Sequence, residues 1–165
     1  MSDSDLCYKS CGEYIVTMKK LPDTQTNESR KDVVNTRCAK FRANKLLVVD
    51  IQHKHTGEKI DRIQNTSYQG RTIWYIKSEV ITVSDYDQDL DRVCTTGIHY
   101  FLSRERAFYW DLKVQNGPYR NWHENGQKKE ECTYQEGKLH GPFQSWYSNG
   151  KKREECTYKE GKLTK

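Results

Sequence analysis

Apolar and polar residues alternate over residues 13–21 (EYIVTMKKL), 45–52 (KLLVVDIQ) and 72–83 (TIWYIKSEVITV), and each stretch reads as a half-buried β-strand. A fourth run, residues 97–101 (GIHYF), reads as a buried strand that enters a helix. That helix begins at Ser103, whose hydroxyl can cap the free amides of RERAFYW, and it turns Ala107 and Phe108 inward. Polar loops separate the runs. The first of them, residues 22–32, is the most mobile candidate because of its Asp, Thr, Asn, Glu and Ser content. The pattern predicts a mainly β domain over residues 8–112 with one short helix.

The remainder of the chain says the same thing twice. Residues 117–140 aligned on 141–164 agree at 15 of 24 positions. Each copy opens with Gly-Pro, continues through an aromatic (Tyr119, Phe143) and a tryptophan (Trp122, Trp146), and reaches an Asn-Gly pair that ends in Gly126 or Gly150. Cys-Thr-Tyr and Glu-Gly follow. Asn-Gly between two strand-like runs predicts a type I′ hairpin, because both residues tolerate positive φ. In the second strand of copy one, Glu130, Cys132 and Tyr134 share one face while Lys129, Glu131 and Thr133 share the other. Cys132 and Tyr134, and Cys156 and Tyr158 after them, are expected to face the core. Trp122 and Trp146 are expected to stack at the repeat spacing as an aromatic ladder. The duplication thus encodes shape, a two-unit hairpin ribbon over residues 117–165. Two units are fewer than the three that such arrays need to stand alone, so the ribbon must lean on the domain before it.

Composition narrows the class. A length of 165 residues allows two units at most, and a 12% aromatic share does not suit a disordered polymer. The net charge of +5 is modest, and the ribbon carries ten Lys/Arg against seven Glu, so no segment reads as a nucleic-acid arm. No window approaches the roughly 18 apolar residues of a membrane span, and the first residues lack the apolar core of a signal peptide. The expectation is a protein that is not secreted. Six cysteines are too dilute for a disulfide scaffold and read as reduced thiols.

Several spacings invite chemistry. Cys7 and Cys11 form half of a possible zinc site, but no second close pair accompanies them. Cys94 and His99 could act as nucleophile and base; His99 reads better as a strand residue making a structural hydrogen bond. Asp85, Asp87 and Asp89 mimic the start of a calcium loop, yet Leu90 and Thr96 stand where Gly and Glu are required, so a solvated turn is expected. His53 and His55 share a strand face without a third ligand. Arg37, Lys40, Arg42 and Lys45 form a basic cluster, whereas the lysines of the repeats are followed directly by Glu130-Glu131 and Glu154-Glu155. No catalytic residue, metal or cofactor is assigned.

The unit NWHENGQKKEECTYQEGKLHG resembles the MORN-type repeat, in the variant found in bacterial YwqK-like proteins. That resemblance implies a curved single-sheet ribbon that binds proteins or dimerises, and a lipid-binding role as well. A second resemblance rests on KKLP (19–22), RCAKFRANKLLVVDI, SDYDQDLD and above all CTTGIHYFLSRERA (94–107). These are similar to an uncharacterised domain that recurs, ahead of repeats, in proteins of large nucleocytoplasmic DNA viruses. It spans most of residues 12–110 and implies origin rather than activity.

The expected function is a non-enzymatic protein-protein interaction or structural module of a large DNA virus, a minor virion or capsid component found in the host cytoplasm (viral factory) or the particle. The alternative is a soluble adaptor, antitoxin-like or host-modulating, that binds a host or viral protein. Nucleic-acid binding and a Cys/His enzyme rank below both. Binding or self-association is expected at the last hairpin, with Phe143 and Tyr147 as aromatic anchors and Lys159 and Lys162 as guard or rim of an open edge. The repeat residues Trp122, Trp146, Tyr134, Tyr158, Cys132, Cys156, Gly126 and Gly150 are read as structural, as is His99.

Overall fold

The computed structural model describes residues 3–66 and 71–164. A 3-10 turn (Asp3–Asp5) leads into β1 (Leu6–Cys11) and β2 (Tyr14–Lys19), a hairpin that turns at Gly12 with φ 60°. The chain continues through β3 (Lys40–Ala43), β4 (Lys45–His53), β5 (Arg62–Thr66), β6 (Thr72–Ile76), β7 (Val80–Thr82), β8 (Ile98–Phe101) and α1 (Arg104–Tyr109). Six of these strands pair, all antiparallel, in the order β3-β8-β1-β2-β4-β7. Asn44 alone joins β3 to β4, although the two stand first and fifth in that order, so the sheet must curl until its ends approach. Apolar side chains fill the curl, among them Val16, Met18, Phe41, Leu46, Val48, Ile51 and Ile98.

Helix α1 covers a smaller cluster of Ile15, Phe101 and Ala107. Ser103 is its N-cap, accepting the Arg106 amide through its side chain. The most buried side chains of this turn are Ala107 and Arg106, with Phe108 only partly buried.

Two expectations are corrected here. Residues 72–83 do not form one strand, because Ser78 adopts φ 71° and splits the run. Its first half, β6, pairs with β5 in a separate hairpin, and its second half, β7, edges the main sheet beside β4. The 22–32 loop is anchored rather than free. Asn27 and Arg30 are buried, Thr26 bridges Ala43, and the Arg30 guanidinium donates to the carbonyls of Lys40 and Glu124. A polar side chain that finds carbonyls inside the fold is as effective an anchor as an apolar one.

The ribbon comprises β9 (Gly117–Trp122), β10 (Lys128–Gln135) and β11 (Lys138–Leu139), then β12 (Gly141–Trp146), β13 (Lys152–Lys159) and β14 (Lys162–Thr164). The second unit docks edge-on, with β12 pairing β10 at Glu130↔Ser145 and Glu131↔Gln144. The two-residue turns with positive φ at both positions lie at Glu136-Gly137 (50°, 77°) and Glu160-Gly161 (52°, 83°), not at the Asn-Gly pairs. At those pairs only the glycine is left-handed, at 90° for Gly126 and 87° for Gly150, and the register shifts by one residue just beyond the turn. The turn is therefore wider than type I′ and ends in a bulge.

The tryptophan ladder does not form. Trp122 is buried against the first domain, 6.0 Å from the Tyr109 ring and 5.4 Å from the Arg106 guanidinium. Trp146 instead carries the Lys128 ammonium over its ring at 5.8 Å. The cross-strand register opposes Trp122 to Lys128 and Trp146 to Lys152, so lysines separate the two indoles. Ring-on-ring contact runs within each unit, Tyr119 on Tyr134 at 6.0 Å and Phe143 on Tyr158 at 5.6 Å.

The ribbon leans on the first domain at one end. The carbonyl of Asn125 accepts the amides of Val34 and Asn35, that of Glu124 accepts the Lys40 amide, and that of Trp122 accepts Arg106 Nη2 at 3.2 Å. The Arg106 side chain also donates through Nε to the Cys38 carbonyl and lies against the rings of Phe101, Trp110 and Trp122. Two buried cations, Arg106 and Arg30, thus belong to both parts of the molecule.

Candidate functional site

The two repeat units are near-copies in sequence but stand in different surroundings. In the first, the Tyr119–Tyr134 pair meets Tyr109 of α1, 6.3 Å from Tyr119, and Cys132 beneath it is buried. In the second, the matching pair Phe143–Tyr158 is partly buried, as the first pair is, but Cys156 is partly rather than fully buried. Among the described residues, no aromatic ring meets this second pair as Tyr109 meets the first. Tyr147, at the start of the second turn, is 52% exposed with the Arg153 guanidinium 5.9 Å from its ring. Lys159 and Lys162 oppose each other at the exposed end of β13 and β14.

The strand edges differ in the same way. The outer edge of β10 is taken by β12 over its first half and by β11 over its second. On β13 the second half is taken by β14, and among the described residues nothing pairs outside the first half, Lys152 to Glu155. Glu130 and Glu131 do not prevent β12 from docking on β10, since Ser145 and Gln144 meet them. The equivalent Glu154 and Glu155 therefore leave β13 able to accept a strand whose facing residues are small and polar.

The tempting Cys94–His99 pair is arranged for other purposes. Cys94 donates its thiol proton to Glu124 Oε1 at 2.9 Å, while desolvation and that carboxylate hold its pKa above the ordinary thiol value. A thiol so held is not a poised thiolate. His99 donates from Nε2 to the Thr95 carbonyl at 2.8 Å. Burial pushes its pKa from 6.5 down to about 4.

That shift sets a pH dependence. The folded-state pKa lies below the unfolded one, so protonation favours the unfolded chain, and the contribution present above about pH 6.5 is lost as pH falls toward 4. Urea midpoints measured at pH 7 and pH 5 should drop further for the wild-type protein than for His99→Asn. Equal drops would show that His99 titrates alike in both states.

The remaining spacings resolve as local structure. The acidic turn wraps a cation supplied by the chain itself. Arg42, fully buried, donates to the carbonyls of Asp87 (2.7 Å), Asp89 (2.5 Å), Arg92 (2.9 Å) and Thr96 (3.3 Å), with Tyr86 over its guanidinium. Asp87 and Asp89 use their carboxylates on the amides two residues on. Three members of the basic cluster are engaged elsewhere: Arg42 as described, Lys45 on Asp23 at 2.6 Å, and Lys40 over the Trp110 ring at 4.9 Å. His53 accepts the amides of His55 and Thr56 through Nδ1. Cys7 and Cys11 are buried and donate to the carbonyls of Met18 and Gln64, and all six cysteines are free thiols.

A curled β domain carrying hairpin repeats on shared arginines defines a two-part protein, a β scaffold with an appended hairpin-repeat ribbon. Residues 2–107 match the family described as "Family of unknown function (DUF5758)", and the chain belongs to that family. Residues 115–136 and 139–160 each match the MORN repeat variant. Such repeats are in general protein- or membrane-binding modules. No curated protein and no solved structure matches the chain. Among the described residues no helix is long and apolar enough to cross a membrane.

Proposed function

We propose that the protein is a non-enzymatic interaction module that binds another protein through its second repeat unit. The Phe143–Tyr158 pair carries this reading, because Tyr109 packs against Tyr119 of the matching pair and, among the described residues, no ring takes that place in the second unit. Tyr147 and the open first half of β13 extend the surface, and Lys159 and Lys162 rim it. Aromatic groups of this kind bury large areas with few rotatable bonds.

The resemblance of the first domain to viral proteins supports placing the protein in a large DNA virus, made in the host cytoplasm and packaged as a minor virion component. Six free thiols fit a reducing compartment. A soluble adaptor for a host or viral protein is the alternative reading of the same surface. The test is a Phe143→Ser/Tyr147→Ser double variant, checked for folding by circular dichroism. Its abundance in purified particles is then measured by mass spectrometry, with light scattering of the isolated protein alongside. The proposal expects a folded variant depleted from particles by roughly tenfold, the loss of two modest anchors. Undiminished packaging would sink the surface, and absence of the wild-type protein from particles would favour the adaptor.

A further inference from the structure

A cavity of about 350 Å³ opens between the main sheet, the β5–β6 hairpin and the 83–97 loop. Its walls include two lysines, Lys9 on β1 and Lys40 on β3, set among apolar groups such as Ile73, Phe101 and Trp110. Among the described residues neither ammonium has a carboxylate within ion-pair distance, and the side chain of Lys9, which is partly exposed, has no hydrogen-bond partner. The wall also holds Arg71, paired with Asp85 at 2.6 Å, and one further carboxylate, Asp111, so the two lysines leave the lining net positive by one. Tyr75 also lines the cavity. It is fully buried, and its hydroxyl has no hydrogen-bond partner among the described residues. A buried hydroxyl without a partner is unfavourable by about 1–3 kcal/mol, and it marks a place where a polar group belongs.

We infer that this cavity binds a small organic anion whose carboxylate or phosphate is held between Lys9 and Lys40, and whose flat apolar body lies along Ile73, Phe101 and Trp110. The volume falls at the lower end of ordinary ligand pockets, enough for one ring and one charged group. A carboxylate or phosphate oxygen would supply the opposite charge that two facing ammonium groups lack, and an oxygen acceptor for the Tyr75 hydroxyl. Desolvation, reinforced by Lys40, pushes the Lys9 pKa down to about 8, and desolvation also lowers that of Lys40. For Lys40 the nearby Glu124 and Cys94 oppose the shift, whereas for Lys9 the ammonium of Lys40 adds to it. The cavity is distinct from the repeat surface proposed above for protein binding, so ligand and partner can be tested separately.

The experiment uses the full-length protein with phenyl phosphate and benzoate as probes, followed by isothermal titration calorimetry and by tryptophan fluorescence, which Trp110 reports. At least one probe should bind with a Kd of about 1 mM or tighter, and the tighter one identifies the charged end. Lys9→Met should weaken that binding about tenfold or more, whereas Lys138→Met, on the ribbon, should leave it unchanged. Titrations of the wild-type protein at pH 8 in buffers of different ionisation enthalpy should show proton uptake, as the bound anion returns Lys9 to its charged form. Failure of both probes to bind at 10-fold above that concentration would overturn the proposal, as would Lys9-independent binding or binding without proton uptake. The proton readout needs no variant, so it decides the matter even if Lys9→Met does not fold.

Discussion

Replacing Gly126 by alanine is expected to loosen the ribbon from the first domain, whereas the same substitution at Gly150 is expected to be mild. The two glycines occupy the same place in the repeat and share nearly the same backbone, φ 90° and 87°. The conformational penalty of a side chain at positive φ is therefore common to both, about 1 kcal/mol. Their neighbours differ. A Cβ on Gly126 would lie 2.1 Å from the Asn35 carbonyl oxygen, 2.9 Å from its carbon and 3.0 Å from the Ala39 nitrogen, all of them backbone. A Cβ on Gly150 would meet the Gln127 side-chain oxygen at 3.3 Å, and that side chain can swing aside. Gly126→Ala must push the 33–40 segment away, breaking the hydrogen bonds from Val34, Asn35 and Lys40 to the turn. The expected loss is about 3 kcal/mol or more, a fall in Tm of roughly 6–12 °C. Thermal melts of both variants provide the measurement, and equal losses would show that Gly126 is constrained only by its φ.

Arg42→Met is expected to be comparably severe. The substitution leaves four inward-facing carbonyls, those of Asp87, Asp89, Arg92 and Thr96, without their common donor. The 85–96 loop would then open to let water reach them, and about 3 kcal/mol or more should be lost in urea denaturation. Arg42→Lys should restore only part of this, since an ammonium is a single point of charge and a guanidinium spreads its five donors in a fork. A variant within about 0.5 kcal/mol of wild type would mean that the loop holds its shape unaided.

These two positions also show where sequence reading succeeds and where it stops. Gly126 was visible because the repeat prints it twice, and the strands β2 and β4 were visible because alternation marks a half-buried surface. The helix cap at Ser103 rests on local chemistry and was equally plain. The buried arginines were not, because a guanidinium in a polar run such as RCAKFRANK looks like a surface cluster until distant carbonyls converge on it. Likewise β1 was hidden by Lys9 and Ser10, which interrupt its apolar alternation. Lys9 has a polar side chain because it lines a cavity, and that cavity is closed by segments some sixty to one hundred residues away. The tryptophan ladder failed for a related reason: period predicts which residues recur, while the one-residue register shift near each turn decides what stands between them. Contacts set by a single bulge lie below the resolution of a repeat pattern.

The single-residue link at Asn44 bears on the order in which the molecule is assembled. Strand β1 cannot find its second neighbour until β8 exists, since Tyr8 pairs with Phe101, and until then β3 has only the bridge to Thr26 and the bonds to Asn27. As the chain leaves the ribosome, β1, β2 and β4 can zip together early, while β3 waits, tethered at Asn44 to an already formed strand. Insertion of β8 between β1 and β3 is then the step that shuts the sheet, a long-range closure of the slow kind. The hairpins of the ribbon, in contrast, need only neighbours a few residues away. The last third of the protein is therefore shaped by local pairings, and it docks on a first domain whose sheet closes only when β8 slots into place.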